Sequence, residues 1–139
     1  MQVEVNWLAV VLATLSTMVV GSVWYTPKVF GNTWMRLVHL DRKKAQTAGL
    51  RPILITLAVS FISAYVLAHV VYLAHFFFNN SFLLDSLSTA FWLWLGMTAA
   101  RFITHDAFEG RPVALTVINV AHELVTFLVM GLVIGLLAP

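Results

Sequence analysis

Cysteine is missing from this chain and charged residues are scarce. Asp, Glu, Lys and Arg make up 10% of its 139 residues, whereas hydrophobic residues make up 60%. Ordinary globular proteins have about 25% charged and about 45–50% apolar residues. So few charges do not cover the surface of a folded chain, which excludes a soluble enzyme, a nucleic-acid-binding domain and a disordered tail. Without Cys there is no disulfide framework, thiolate zinc site or Cys nucleophile.

Long apolar stretches take the place of the missing charge. Four of them cover residues 7–25, 52–78, 86–104 and 113–137. Each is long enough for an α-helix to cross a hydrocarbon layer of about 30 Å, which takes about 20 residues, and the second exceeds that length. None alternates in polarity as the strands of a membrane β-barrel do. We therefore expect one all-α integral membrane domain, residues 1–139, whose four transmembrane helices form an antiparallel up-down bundle.

Lys and Arg are also absent from the N-terminus, from residues 79–85 and from the C-terminus. All eight basic residues lie in the linker 26–51 or in the segment 101–111. Because positively charged loops stay on the cytoplasmic side, both termini are expected to face outward.

The linker 26–51 has apolar residues at roughly helical spacing, namely Trp34, Leu37, Val38, Ala45 and Ala48. This pattern predicts a short amphipathic cytoplasmic helix between the first two spans, lying on the inner leaflet. The alternative is a solvated loop of the kind that the positive-inside rule describes. A docking surface or a sensor of anionic lipid is the functional interpretation.

Small residues recur at every fourth position in the spans. The two longest rows are Ala9, Ala13, Thr17 and Gly21 in the first span and Thr56, Ser60, Ala64 and Ala68 in the second. Such rows let helix backbones approach closely in lipid. Thr17 and Ser60 lie at equal depth, roughly 12 Å from the cytoplasmic ends, so the rows can face each other. Gly131 and Gly135 form a shorter row in the fourth span, and each row serves either the fold or a homo-oligomer.

The fourth span contains an ionisable cluster. Asn119, His122, Glu123 and Thr126 have the spacing i, i+3, i+4 and i+7, which places them on one helix face. Glu123 lies close to the midplane, where an ionised acid costs at least about 2.5–3.5 kcal/mol. His122 directly precedes Glu123 in the sequence and projects about 100° away from it on the helix, so it is an imperfect partner.

Residues at matching depth are Thr14, Ser16 and Thr17 in the first span, Ser60 and Ser63 in the second, and Trp94 or Thr98 in the third; of these, Thr17, Ser60 and Ser63 are assigned to the site. With the cluster around Glu123 they predict a polar, proton-titrating site inside the bundle. The alternative is a hydrogen-bond network that only fixes the packing. Position 126 is Thr, so His122 and Glu123 do not belong to an H-E-x-x-H zinc motif. We expect no metal and no cofactor.

Two signatures resemble a known family. The first is Asn6-Trp7-Leu8-Ala9-Val10 with Trp24-Tyr25-Thr26-Pro27, Phe30-Gly31 and Trp34-Met35; the second is Phe108-Glu109-Gly110-Arg111-Pro112 with Ile118-Asn119. They are similar to a bacterial membrane family catalogued as domain of unknown function 1761. The resemblance covers nearly the whole chain. It implies a small four-span protein of the bacterial cytoplasmic membrane and brings no established activity.

The first signature also suits the exit of a helix from the membrane. Trp24 and Tyr25 are typical interfacial anchors. Pro27 ends the span, and after Phe30 the small Gly31 allows a sharp turn.

These features favour a homo-oligomeric transport or channel-like protein with its polar site at Glu123. The alternative is a non-catalytic accessory or assembly subunit of a larger membrane complex. The sequence has no reaction-specific constellation, so an enzyme is not expected. The lipid bilayer is the expected environment, and nucleic acid is not an expected partner.

Overall fold

The computed structural model describes residues 3–41, 43, 47 and 49–139. Within these ranges every regular element is helical. The elements are α1 (Trp7–Trp24), α2 (Gly31–Leu37), α3 (Arg51–Phe78), α4 (Phe82–Leu93), a π-helical segment (Trp94–Ala99), α5 (Ala100–Glu109) and α6 (Val113–Leu136). Helices α1, α3 and α6 are each long and apolar enough to cross a membrane. The expected all-helical membrane fold is therefore confirmed at this level.

Local signals in the sequence explain where the three long helices begin and end. The Asn6 side chain accepts hydrogen bonds from the backbone N–H groups of Leu8 and Ala9, which caps the start of α1. Pro52 lies in the first turn of α3, where its missing N–H costs no hydrogen bond. Asn79 ends α3 in the left-handed conformation, at φ +53°. The three helices consequently agree with the predicted stretches to within one residue at each end.

The sequence predicts one span over residues 86–104 for the third apolar stretch, and the structure differs from this prediction. The helix begins earlier, at Phe82, because the Ser81 side chain accepts a hydrogen bond from the N–H of Leu84. It runs without a break to Glu109 and ends at Gly110, which adopts φ +65°. Its middle, Trp94–Ala99, is π-helical. This stretch is therefore not one regular α-helix.

The predicted amphipathic helix in the linker is described only in part. α2 ends at Leu37, and His39 takes a left-handed conformation with φ +53°. Of the residues that predicted this helix, Ala45 and Ala48 lie outside the described residues.

The turn between α1 and α2 requires glycine at position 31. The Gly31 N–H donates to the carbonyl oxygen of Thr26 at 2.9 Å. A Cβ on Gly31 would overlap the carbonyl oxygen of Tyr25 and lie 2.8 Å from that of Thr26. The sharp turn predicted here thus depends on a close approach of two backbone segments.

The apolar core lies toward the end of the molecule where the termini meet. There the Asn6 side-chain amide donates to the carbonyl oxygen of Leu137 at 3.0 Å. We call this the terminal end, and we call the end where α1 stops and α3 begins the basic end. The buried core residues come from α1, α3, α4 and α6, and are Val10, Ala13, Ala64, Leu67, Ala68, Val71, Ala90, Met130 and Ile134. Ala9, also predicted as a packing residue, is buried beside them.

Packing is much looser at the basic end. From Arg51 to Val59 every residue of α3 except Leu57 is exposed, and Leu57 is only half-buried. α3 therefore packs with its terminal half and stands away from the other helices with its basic half.

The two predicted packing glycines of α6 face α4. A Cβ on Gly131 would lie 2.8 Å from the Cβ of Ala90, and one on Gly135 would lie 2.8 Å from Cδ1 of Leu83. The hydroxyl of Ser86 donates to the Gly131 carbonyl oxygen at 2.6 Å. Within the chain these glycines thus allow the close approach of α4 and α6.

Candidate functional site

A cavity of about 730 Å³ lies between α1, α3 and α6, in the half of the molecule nearer the basic end. Its lining includes most of the residues predicted for the polar site, namely Thr17, Ser60, Ser63, His122, Glu123 and Thr126. Asn119, predicted for the same site, is half-buried on α6 but is not part of this lining. The helical spacing on α6 and the depth match to α1 and α3 therefore identified residues that share one cavity.

His122 and Glu123 interact although they are adjacent in sequence. Nδ1 of His122 lies 3.3 Å from Oε1 of Glu123. The two side chains are 15% and 29% exposed, respectively. The separation is longer than the about 2.7–2.9 Å of a strong charge-assisted hydrogen bond, as expected for neighbours that project in different directions. The carboxylate thus keeps capacity to accept a second donor from the cavity.

Two aromatic residues of the first family signature surround the imidazole. The ring centroid of His122 lies 5.0 Å from that of Tyr25 and 5.9 Å from that of Trp24. Gly21 is predicted above as a packing residue. A Cβ there would lie 3.7 Å from Nε2 of His122. The aromatic rings and Gly21 thus hold the imidazole between the end of α1 and α6.

Sequence reasoning assigned Trp24 and Tyr25 only to the membrane interface. Their contact with His122 joins distant parts of the chain, and helical spacing does not indicate such contacts. The signal available in the sequence is the first signature, which contains Trp24, Tyr25 and Phe30. In the structure Phe30 also packs against Trp24, with ring centroids 4.7 Å apart.

Polar atoms without a partner gather at this site. Within the described residues, Nε1 of Trp24, Nε2 of His122 and Oγ1 of Thr126 are buried and have no hydrogen-bond partner. Leaving a buried polar group unpaired costs about 1–3 kcal/mol. Such groups are few in folded proteins and each calls for an explanation. Two of the three atoms belong to residues that line the cavity, His122 and Thr126, and Trp24 packs against the His122 ring.

The cavity is closed toward the terminal end. The Thr17 and Ser60 hydroxyl oxygens are 3.0 Å apart and join α1 to α3. Met130, which is 1% exposed, lines the cavity and belongs to the apolar core. The cavity is therefore open toward the basic end, and the packed core closes it toward the terminal end.

The charge of the cavity comes from Glu123. The other lining residues are apolar or neutral, apart from the titratable side chains of His122 and Tyr25, and the lining contains no Lys or Arg among the described residues. No group of three or more His, Asp or Glu side chains that would hold a metal ion occurs in the described part of the chain. The acidic side chain of the cavity thus has His122 beside it and no Lys or Arg among the described lining residues.

A second carboxylate is buried at the terminal end, outside the predicted sites. Asp85 is 4% exposed, and its oxygens lie 2.9 Å from Nδ1 of His75 and 2.9 Å from Nδ2 of Asn80. This cluster joins the end of α3 to the start of α4 and is distant from the cavity.

These features define a small helical membrane protein with an acid–imidazole pair at the wall of a one-ended cavity. The family model described as "Protein of unknown function (DUF1761)" matches residues 8–135, so the chain belongs to that family. The resemblance based on the two signatures is thereby confirmed. No curated protein matches the chain, and no solved structure does.

Proposed function

We propose that this protein is a small membrane transport protein in which Glu123 carries a proton or a cation. The observation that supports this most directly is the position of Glu123 on the wall of the 730 Å³ cavity, 29% exposed and paired with His122. Ionisable groups inside membrane spans are costly, and they are functional candidates for that reason. A carboxylate that opens onto a cavity exchanges its proton or cation with that cavity.

The proposed topology has four antiparallel spans, with the run Phe82–Glu109 as the third. The contacts between α6 and its neighbours support it. Trp94 Nε1 donates to the Val120 carbonyl oxygen at 3.0 Å, and the Thr116 hydroxyl donates to Asp106 at 2.6 Å. These pairs run in opposite directions along the two helices. The positive-inside rule then places the basic end in the cytoplasm and both termini outside, in the cytoplasmic membrane of a bacterium.

A carrier fits the geometry better than an open channel. A channel needs a continuous polar path, but the packed core closes the cavity on the terminal side. In a carrier the site is open to one side at a time, and closure of the other side is part of the mechanism. The described shape thus corresponds to a site that is open toward the basic end.

The exposed basic half of α3 supports the homo-oligomer in this proposal. Apolar residues such as Leu50, Ile53 and Leu54 are more than half exposed there. The same surface also suits a partner protein, as the accessory-subunit alternative requires. Purification of the full chain in mild detergent, with mass measurement of the particle, separates the two. The proposal predicts a particle made of this chain alone, whereas a stoichiometric second protein supports the accessory subunit.

The experiment that tests transport is proton flux into proteoliposomes under an imposed pH gradient. The variant Glu123→Gln keeps size and shape but neither binds nor releases a proton. Glu4→Gln is the matched control, because Glu4 is exposed near the terminal end. We expect flux in the parent chain and in Glu4→Gln and its loss in Glu123→Gln with an unchanged particle size. Equal flux in all three chains would exclude Glu123 as the carrier.

A further inference from the structure

We propose that the cavity binds an amphipathic organic amine in its protonated form, and that this cation displaces one proton from Glu123. The inference rests on the proposed transport function and adds the chemical class of the substrate. Such a molecule has a positively charged nitrogen with N–H donors at one end and an apolar body at the other. The two parts of the cavity lining match the two parts of the molecule.

The polar part of the lining selects positive charge. Glu123 is its one carboxylate, and Lys and Arg are absent from the described lining. An anion would therefore meet a carboxylate with no Lys or Arg beside it in the described lining, while an ammonium group gains an ion pair. The imidazole of His122 is the neighbouring titratable group on α6, and Tyr25 is the one that follows α1; α3 contributes only neutral residues to the lining.

Hydrogen-bond capacity is also left over beside the carboxylate. Thr126 lines the cavity and is 6% exposed, and its hydroxyl oxygen has no partner among the described residues. Nε2 of His122 is likewise buried and unpartnered. Both atoms accept hydrogen bonds when the imidazole is neutral with its proton on Nδ1. Both atoms are covered in the described structure, so an ammonium group paired with Glu123 reaches them when the side chains around it move apart.

The remaining lining is apolar and opens sideways. Ile53, Ile55 and Val59 line the cavity from α3 and are each more than half exposed. Since they belong to a membrane-spanning helix, the opening lies at the level of the lipid. Phe127 and Met130 form the apolar wall on α6. An apolar body therefore enters from the bilayer, and the cavity volume is in the range of about 300–1,000 Å³ that holds drug-sized ligands.

Charge balance fixes the stoichiometry of exchange. When Glu123 is protonated, binding of one ammonium ion converts its carboxyl group to a carboxylate and releases one proton. Release of the ammonium ion reverses this step. A single carboxylate thus holds either a proton or the cation, so the two compete for one site.

The test uses the full chain in lipid nanodiscs with two probes of equal chain length, decylammonium and decanol. Equilibrium dialysis against empty nanodiscs corrects for partition into lipid, and a pH indicator in weak buffer records proton release. We expect saturable decylammonium binding, about tenfold or more tighter than decanol binding, with one proton released per cation at pH values where Glu123 is protonated. Glu123→Gln should remove the preference and the proton release, and Glu4→Gln should retain both.

Thr126→Val keeps the proposal falsifiable should Glu123→Gln fail to fold. The Thr126 hydroxyl makes no hydrogen bond within the described chain, so removing it leaves the fold intact. We expect decylammonium binding to weaken by about fivefold or more while decanol binding is unchanged. Equal binding of both probes to the parent chain would overturn the proposal and indicate an apolar cavity filled by lipid chains.

Retained decylammonium affinity in folded Glu123→Gln would also overturn the proposal. Proton flux that depends on Glu123 without decylammonium binding would refute the substrate class and leave transport standing. Binding with proton release but without flux would refute transport and leave the binding site.

Discussion

Substitution of Gly131 by Ala tests the packing that brings α6 and its polar face into position. The new methyl group would lie 2.8 Å from the Cβ of Ala90 and 3.1 Å from the Ser86 carbonyl oxygen. Neither neighbour is the end of a flexible side chain, so α4 and α6 must separate. This displacement also strains the hydrogen bond from the Ser86 hydroxyl to the Gly131 carbonyl oxygen.

The size of the effect follows from three contributions. Overpacking costs about 1–3 kcal/mol. Weakening an interhelical hydrogen bond in a membrane adds about 0.6 kcal/mol. The higher helix propensity of Ala offsets up to about 1 kcal/mol. We therefore expect Gly131→Ala to lower the free energy of unfolding by about 1–2 kcal/mol.

Gly96→Ala is the matched control, because a Cβ there meets no atom within 4 Å. It should leave stability unchanged or raise it by up to about 1 kcal/mol. The assay is equilibrium unfolding in mixed micelles of increasing denaturing-detergent fraction, followed by tryptophan fluorescence. Equal midpoints for Gly131→Ala and Gly96→Ala would refute the close approach of α4 and α6.

Three further predictions concern other parts of the molecule. Thr126→Val should leave thermal stability in nanodiscs unchanged or raise it, because the hydroxyl is buried without a partner; a clear loss would show that it has one within the chain. Gly31→Ala should destabilise the turn after α1 by about 1–3 kcal/mol, measured as a lower unfolding midpoint and faster proteolysis in this turn. The Asn80 side-chain amide donates to the buried Asp85 carboxylate at 2.9 Å, so Asn80→Ala should lower the free energy of unfolding by about 1–3 kcal/mol, measured as a lower thermal unfolding midpoint; an unchanged midpoint would contradict it.

The sequence predicted the long helices well because length and apolar composition decide whether a helix crosses a bilayer. The bounds of α1, α3 and α6 follow from these properties and from Asn6 and Pro52. It did not predict the π-helical segment Trp94–Ala99. A π-helix changes backbone hydrogen bonding from i→i−4 to i→i−5, and hydropathy carries no signal of that change.

The candidate site was predictable to the extent that it follows helix periodicity and depth. Glu123 and Thr126 share a face of α6, and Ser60 lies at the same depth on α3, so all three line the cavity. The ring contacts between Trp24 and His122 depend on how α1 packs against α6. Such packing is a property of the folded chain and is not read from the spacing of residues within one helix.

The shape of the cavity depends on a further packing detail. α3 contacts the core with its terminal half and diverges over residues 51–59, which leaves the space in front of Glu123. Both halves of α3 are similarly apolar, so composition gives no sign of this divergence. The sequence therefore identified the acid, and the structure added the cavity onto which it opens.

The most direct test of a negatively charged cavity open from the basic end uses the absence of native cysteine. Ser63→Cys introduces the chain's single thiol into the cavity lining. In membranes, its reaction rate is measured with a cationic and an anionic methanethiosulfonate reagent applied from either side. At pH values where Glu123 is ionised, we expect faster reaction with the cationic reagent, from the basic side only, and loss of that preference in Glu123→Gln. Equal rates for both reagents, or reaction from the terminal side, would contradict it.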